Sequence, residues 1–262
     1  MNIESWKKHV VPIVSVDKSN IEHTGTAIFL AHKNKQYLLT AKHVVVDADN
    51  NEIYPLICKI RSFGESNNGN HKNSIENLQN ALKEKRSSFE PFVSETYDYI
   101  TDLSIISLNN GATREFNEYL LSKGYKPLNI KKIHADRVNE GDEIISIGYP
   151  YRISDVGEYH SREVGYLPIV NFGRVAMHHK DLEFMWGDIF THPGLSGGPI
   201  IHKKKLVGVG VGQATLGYSL KHSEENTDDE KELNLRIRKP LTFIISSKRI
   251  KKLIQLIQKQ EM

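Results

Sequence analysis

Three short stretches of the chain carry side chains that can do chemistry together. In GLSGGPII, Gly194–Ile201, three glycines crowd Ser196 ahead of an apolar run. In TAKHVV, Thr40–Val45, His43 follows a β-like run on a turn opened by the small residue Ala41. In YITDLSIISL, Asp102 stands at the start of an apolar strand. A serine hydroxyl is a weak nucleophile at neutral pH, so an imidazole must take its proton as it attacks a carbonyl. A buried carboxylate then fixes the imidazole's tautomer and stabilises the imidazolium. The developing oxyanion needs fixed donors, and the backbone N–H groups of Gly194 and Ser196 are the candidates. Glycine suits such a turn because it allows close backbone approach and positive φ. Asp98 is the rival carboxylate, and the strand-start position favours Asp102. His192 reads as a loop histidine lining the same turn.

The elements that must position these residues are short. β-like runs are expected at Val10–Val16, Thr24–Leu30, Gln36–Thr40, Glu52–Arg61, Leu103–Leu108, Glu143–Ile147, Leu167–Ala176, Leu182–Trp186, Pro199–His202, Leu206–Val211, Leu233–Ile237 and Thr242–Ile245. They are bounded by polar or Gly-rich turns, as in a sandwich or barrels, and they do not alternate with helices. His32–Lys35 reads as a hairpin tip, and Lys203-Lys204-Lys205 as a solvated one. Ile250, Leu253, Ile254 and Ile257 repeat at helical spacing in Ser247–Gln258, a docked helix with a solvated basic face. A second helix is expected around Ala112–Ser122. Ser62–Thr96, with a short helix near Ile75–Lys85, and the acidic stretch Ser219–Glu232 read as surface loops.

Bulk composition narrows the setting. The chain has 262 residues, enough for one large β domain or two small ones. Thirty-five basic residues face 32 acidic ones, a net charge of +3, so nothing calls for nucleic acid or a membrane. The single cysteine, Cys58, is expected to be a buried thiol and excludes an intramolecular disulfide. No His or Cys cluster has metal-ligand spacing, so neither metal nor cofactor is expected. His178-His179 reads as a polar turn. The opening MNIESWKKHVVPIVSVD lacks a long apolar core and a small-residue cleavage site, which points to a cytoplasmic location.

GLSGGP, TAKHVV and TDLSII resemble the three catalytic boxes of trypsin-like serine proteases with the chymotrypsin fold. The resemblance is closest to the HtrA/Deg branch, through GDEIISIGYP (Gly141–Pro150), GDIFTHPGLSGGPII (Gly187–Ile201) and LTFIISSKRIKKLIQLI (Leu241–Ile257). It implies an all-β single protease domain over residues 1–262. Two six-stranded antiparallel β-barrels, at about 10–110 and 140–245, would be followed by a C-terminal α-helix at 247–258. It implies a catalytic triad of His43, Asp102 and Ser196 and an oxyanion hole at Gly194, Leu195 and Ser196. Ile189, Phe190 and Thr191 on one side, and Val211, Gly212 and Gln213 on the other, would bind the substrate as an added strand. The expected P1 side chain is apolar or small, with Asp188 favouring a basic one as the alternative.

The sequence departs from the family at Leu195. Digestive trypsins carry aspartate there, which pairs with a freed N-terminus, and the HtrA branch carries asparagine. Leucine can do neither, so pro-peptide cleavage is not the expected switch, and a collapsed resting turn is one consequence to look for. No PDZ domain is expected after the last helix. The expected role is a regulated cut in particular proteins by a bacterial cytosolic enzyme, with an activating partner protein as a candidate and the oligomeric state open. Two other readings stay open. One is a latent or non-catalytic binding module on the same fold. The other is an α/β-hydrolase esterase, since GLSGG also fits Gly-x-Ser-x-Gly, although that fold orders its triad Ser, Asp, His.

Overall fold

The computed structural model describes residues 2–16, 21–45, 56–57, 102–109, 111–133, 138–150, 168–179, 181–223 and 230–260. Cys58, Asp98, the stretch Ser62–Thr96 and the short helix expected within it lie outside the described residues, as does most of the strand expected at Glu52–Arg61.

The first half is built on a six-stranded sheet. It comprises β1 (Val10–Val16), β2 (Glu22–His32), β3 (Lys35–Thr40), β4 (Leu56–Ile57), β5 (Ser104–Ser107) and β6 (Leu128–Asn129). The order is β4-β1-β2-β3-β5, with β6 parallel to β2 at its edge. These strands are rich in Val, Ile, Leu and Phe, which suit a half-buried pleated surface. Before them, the helical turn α1 (Ile3–Lys7) buries Trp6.

The second half closes. β7 (Glu143–Gly148), β8 (Ile169–His178), β9 (Phe184–Asp188), β10 (Pro199–His202), β11 (Lys205–Ser223) and β12 (Glu230–Ser246) form a barrel in the order β10-β11-β12-β9-β8-β7. Closure removes the exposed strand edges that an open sheet presents. Alternation sends Ile144, Ile200 and Ile244 into one cluster with Val175, Met185 and Val207. Ile147, Ile201 and Ile245 turn the other way and join the larger cluster of the first sheet. That larger cluster joins the two sheets into one folded unit.

Three further helices follow, the last two at the places their spacing predicts. One is α2 (Lys42–Val45), a single turn described below. The next is α3 (Gly111–Ser122), which buries Phe116 and Leu120. The last is α4 (Ser247–Gln260), whose Ile250, Leu253, Ile254 and Ile257 are all buried. Burying each such side chain stabilises the fold by about 1.5–3 kcal/mol. Glu183 clamps the same helix from the barrel, accepting from Arg249 at 3.0 Å and from Lys252. The described elements are therefore mostly β with a C-terminal helix, as the sequence implies.

One expectation is corrected. Ser219–Glu232 is not wholly a loop. β11 and β12 run on as a paired ribbon from Thr215↔Arg238 to Ser223↔Glu230, and the expected strands at 233–237 and 242–245 are one. A ladder is made of backbone groups, so once the hairpin sets the register, polar composition does not stop it. By contrast Lys203 and Lys204, at φ 44 and 67, form the two-residue hairpin tip between the paired His202 and Lys205.

Candidate active site

Register brings His43 to Asp102. β3 and β5 are antiparallel, with Leu39 opposite Ile105 and Thr40 opposite Ser104. Two residues further along each strand, Lys42 faces Asp102. The Lys42 N–H accordingly donates to the Asp102 carbonyl at 3.2 Å. There the chain turns into α2, and the Asp102 carboxylate holds that turn at two points. Oδ1 accepts the His43 backbone N–H at 2.9 Å, and Oδ2 lies 2.5 Å from His43 Nδ1. Facing a carboxylate, Nδ1 must be the protonated nitrogen, which leaves Nε2 with a free lone pair. The side chains are 47% and 29% exposed, so the carboxylate is less buried than the sequence suggests.

Ser196 sits on a turn fixed from several directions. In His192-Pro193-Gly194-Leu195, the Leu195 N–H donates to the His192 carbonyl at 3.1 Å, and Gly194 has φ 91. Proline second and a positive-φ glycine third are what a type II turn requires. Gly197 follows at φ 90, where a Cβ would overlap Thr26 O and Thr40 Oγ1 and lie 2.8 Å from Ala41 N. No other residue fits there. The Gly197 N–H donates to the Gly210 carbonyl at 2.8 Å, and the Gly210 N–H donates to the Gly198 carbonyl at 3.0 Å. These two bonds lace the turn to β11.

The donors sort themselves out. The Leu195 N–H is taken by His192. Those of Gly194 and Ser196 have no acceptor among the described residues. The Leu195 side chain is buried, with its Cγ 3.1 Å from where a Cβ on Gly148 would lie. A leucine packed this way anchors the turn by apolar contact. Ser196 Oγ lies 3.5 Å from the Val211 carbonyl, the one hydrogen bond this hydroxyl makes among the described residues.

The remaining predicted residues flank the turn. β10 pairs with β11 only as far as Pro199↔Val209, so the β11 edge at Val211, Gly212 and Gln213 has β12 on one side only. Gln213 Nε2 donates to the Lys239 carbonyl at 2.6 Å. Opposite, Ile189 is buried, while Phe190 is 38% exposed and packs edge-on against His192 at 4.8 Å between ring centroids. Thr242 Oγ1 gives its one proton to the Ile189 carbonyl at 2.6 Å, so at 3.2 Å from Thr191 Oγ1 it must be the acceptor. Asp188 ends β9 with an exposed side chain.

Two residues here went unnoticed in the sequence, Thr26 and Thr242. Both are fully buried polar residues. Their only sequence signal is a hydroxyl inside an apolar run, as in TGTAIFL and LTFII. Among the described residues no group of three or more His, Cys, Asp or Glu side chains is placed to hold a metal ion. No helix among them is long and apolar enough to cross a membrane.

Comparison with known proteins follows the same lines. Residues 25–210, well over half of the chain, match the model of the trypsin-like peptidase domain, and the chain belongs to that family. Among solved structures it is similar to a thermostable serine protease, AL20, from an extremophilic microorganism. The TM-score is 0.54 and the identity 13%, over 92% of each chain, a likeness of fold. No curated protein matches the sequence. The chain is thus a trypsin-like peptidase whose substrates are proteins or peptides.

Proposed function

We propose that the chain is a serine endopeptidase that works through His43, Asp102 and Ser196 and an acyl-enzyme intermediate. The observation that supports this reading is the presence of two unlike devices in the chain. A carboxylate holds an imidazole through Nδ1, and a glycine turn presents two N–H groups with no acceptor among the described residues beside a serine. As substrate arrives, the Ser196 hydroxyl leaves the Val211 carbonyl for His43 Nε2, which takes its proton as Oγ attacks the scissile carbonyl. The oxyanion lodges on the Gly194 and Ser196 N–H groups, each of which contributes about 10²–10³ in rate. His43 then gives its proton to the leaving amine, and a water activated by the same imidazole releases the acyl group. The substrate backbone pairs with the free edge at Val211–Gln213.

Finer points belong to the same reading. We assign the chain to the HtrA/Deg branch, as a single protease domain making a regulated cut in specific cytosolic proteins. An apolar or small P1 side chain suits Ile189, Phe190 and Thr191. Ser196→Ala should abolish both peptide cleavage and labelling by a fluorophosphonate probe. Full activity in that variant sinks the assignment. A second reading, a latent enzyme awaiting a partner protein, draws support from the resting contact of Ser196 Oγ with Val211 in place of His43. Measuring fluorophosphonate labelling with and without a co-encoded protein separates the two.

A further inference from the structure

We propose that Thr26 is a positioning residue for the oxyanion turn, its hydroxyl holding the Gly194 and Ser196 N–H groups in working alignment before substrate arrives. The inference rests on the serine endopeptidase reading. β3 parts from β2 after the pair Ala27↔Thr40, so the backbone of Thr26 lies one residue beyond the ladder. The nucleophile turn of the other sheet takes the vacated place. The Thr26 N–H donates to the Ser196 carbonyl at 2.8 Å. The Thr26 carbonyl accepts from Thr40 Oγ1 at 2.7 Å.

The side chain completes the hold. Thr26 Oγ1 accepts the Tyr149 N–H at 2.9 Å and donates to the Gly194 carbonyl at 2.7 Å. A hydroxyl has one proton, so these two bonds fix its direction. The Gly194 carbonyl is therefore pinned away from the cleft. Its peptide partner, Leu195, is pinned as well, by the N–H bond to His192 and by side-chain burial against Gly148. The peptide groups next to the Gly194 and Ser196 N–H groups are thus set by neutral contacts. Digestive trypsins use a charged pair at the Leu195 position for the same task. Thr26 touches neither substrate nor proton; it acts through Gly194 and Ser196.

The test uses a peptide that the wild type cleaves, its product fragment, and an aldehyde ending at the same residue. The aldehyde's adduct with Ser196 places an oxyanion in the hole, whereas the product fragment does not need it. Thr26→Val keeps the shape and removes the hydroxyl. It should lower kcat about 10²-fold with KM little changed, the loss expected when an oxyanion donor is misplaced. It should weaken the aldehyde by a similar factor and leave product affinity unchanged. Thr26→Ser should restore most of the rate. If Thr26→Val does not fold, Thr26→Cys, with its weak donor, carries the same expectation. A folded variant with wild-type kcat, an equal loss for aldehyde and product, or failure of serine to rescue overturns the proposal. Cleavage by Ser196→Ala would instead overturn the reading beneath it.

Discussion

The two halves of the candidate site are built in opposite ways. The His43–Asp102 pair is partly exposed and hangs on the end of one ladder, with a single carboxylate as its clamp. The Ser196 turn is laced to β11, to β2 and to its own preceding loop, and Gly197 and Gly198 are packed where no side chain fits. The difference matches the work each half would do. An acid–base group must exchange protons and can reorient, whereas donors for an oxyanion help only if they need no rearrangement when charge appears. Exposure and close packing are thus assigned to different sheets.

That contrast can be broken from either side. Asp102→Asn should lower kcat by about 10⁴-fold, through the wrong tautomer of His43. Its thermal midpoint should hardly move, because the pair sits at the surface. A large loss of stability would show that the pair is part of the core. Gly197→Ala attacks the rigid half. It should cost both activity and fold, with the thermal midpoint falling by several degrees, since positive φ and backbone overlap act together. A variant as stable as wild type would mean that the turn is looser than its packing implies. Leu195→Ala removes the apolar anchor. A loss of about 2–5 kcal/mol in denaturant unfolding is expected, with kcat falling more than KM rises.

The smallest effect lies away from the cleft. Burial pushes the Glu183 carboxyl up, but the hydrogen bonds and charges of Lys252 and Arg249 outweigh it and hold the group below its usual range. The folded state therefore binds the proton less readily than the unfolded chain. The clamp on α4 stabilises the fold above about pH 4, the unfolded carboxylate value, and is lost as pH falls through the lower folded value. Glu183→Gln should lower the thermal midpoint slightly at neutral pH, and the gap to wild type should close in acid. A gap that persists in acid would show that charge is not what Glu183 contributes.

Much of the site was legible in the order of residues. His43 closely follows β3, and Asp102 and Ser196 shortly precede β5 and β10; strand ends follow from period-two alternation and small or glycine residues. Pro193-Gly194 announces its turn because proline presets φ and glycine accepts the positive value. The docked face of α4 follows from four apolar residues at helical spacing. Less legible were Thr26 and Thr242, whose importance lies in what faces them across a sheet.

The sequence by itself determined the chemical types, their order along the chain, and the local turns and faces that backbone sterics dictate. Tertiary structure alone decided which N–H groups lack an acceptor among the described residues, that Leu195 packs as an anchor, that β11 and β12 run on as a ribbon, and that Thr26 from one sheet holds the serine turn of the other. The physical reason is distance along the chain. A turn or a helix face is fixed by neighbours within a few residues. A hydrogen bond between Thr26 and Gly194 joins positions 168 residues apart, and only the register of whole strands can bring them together.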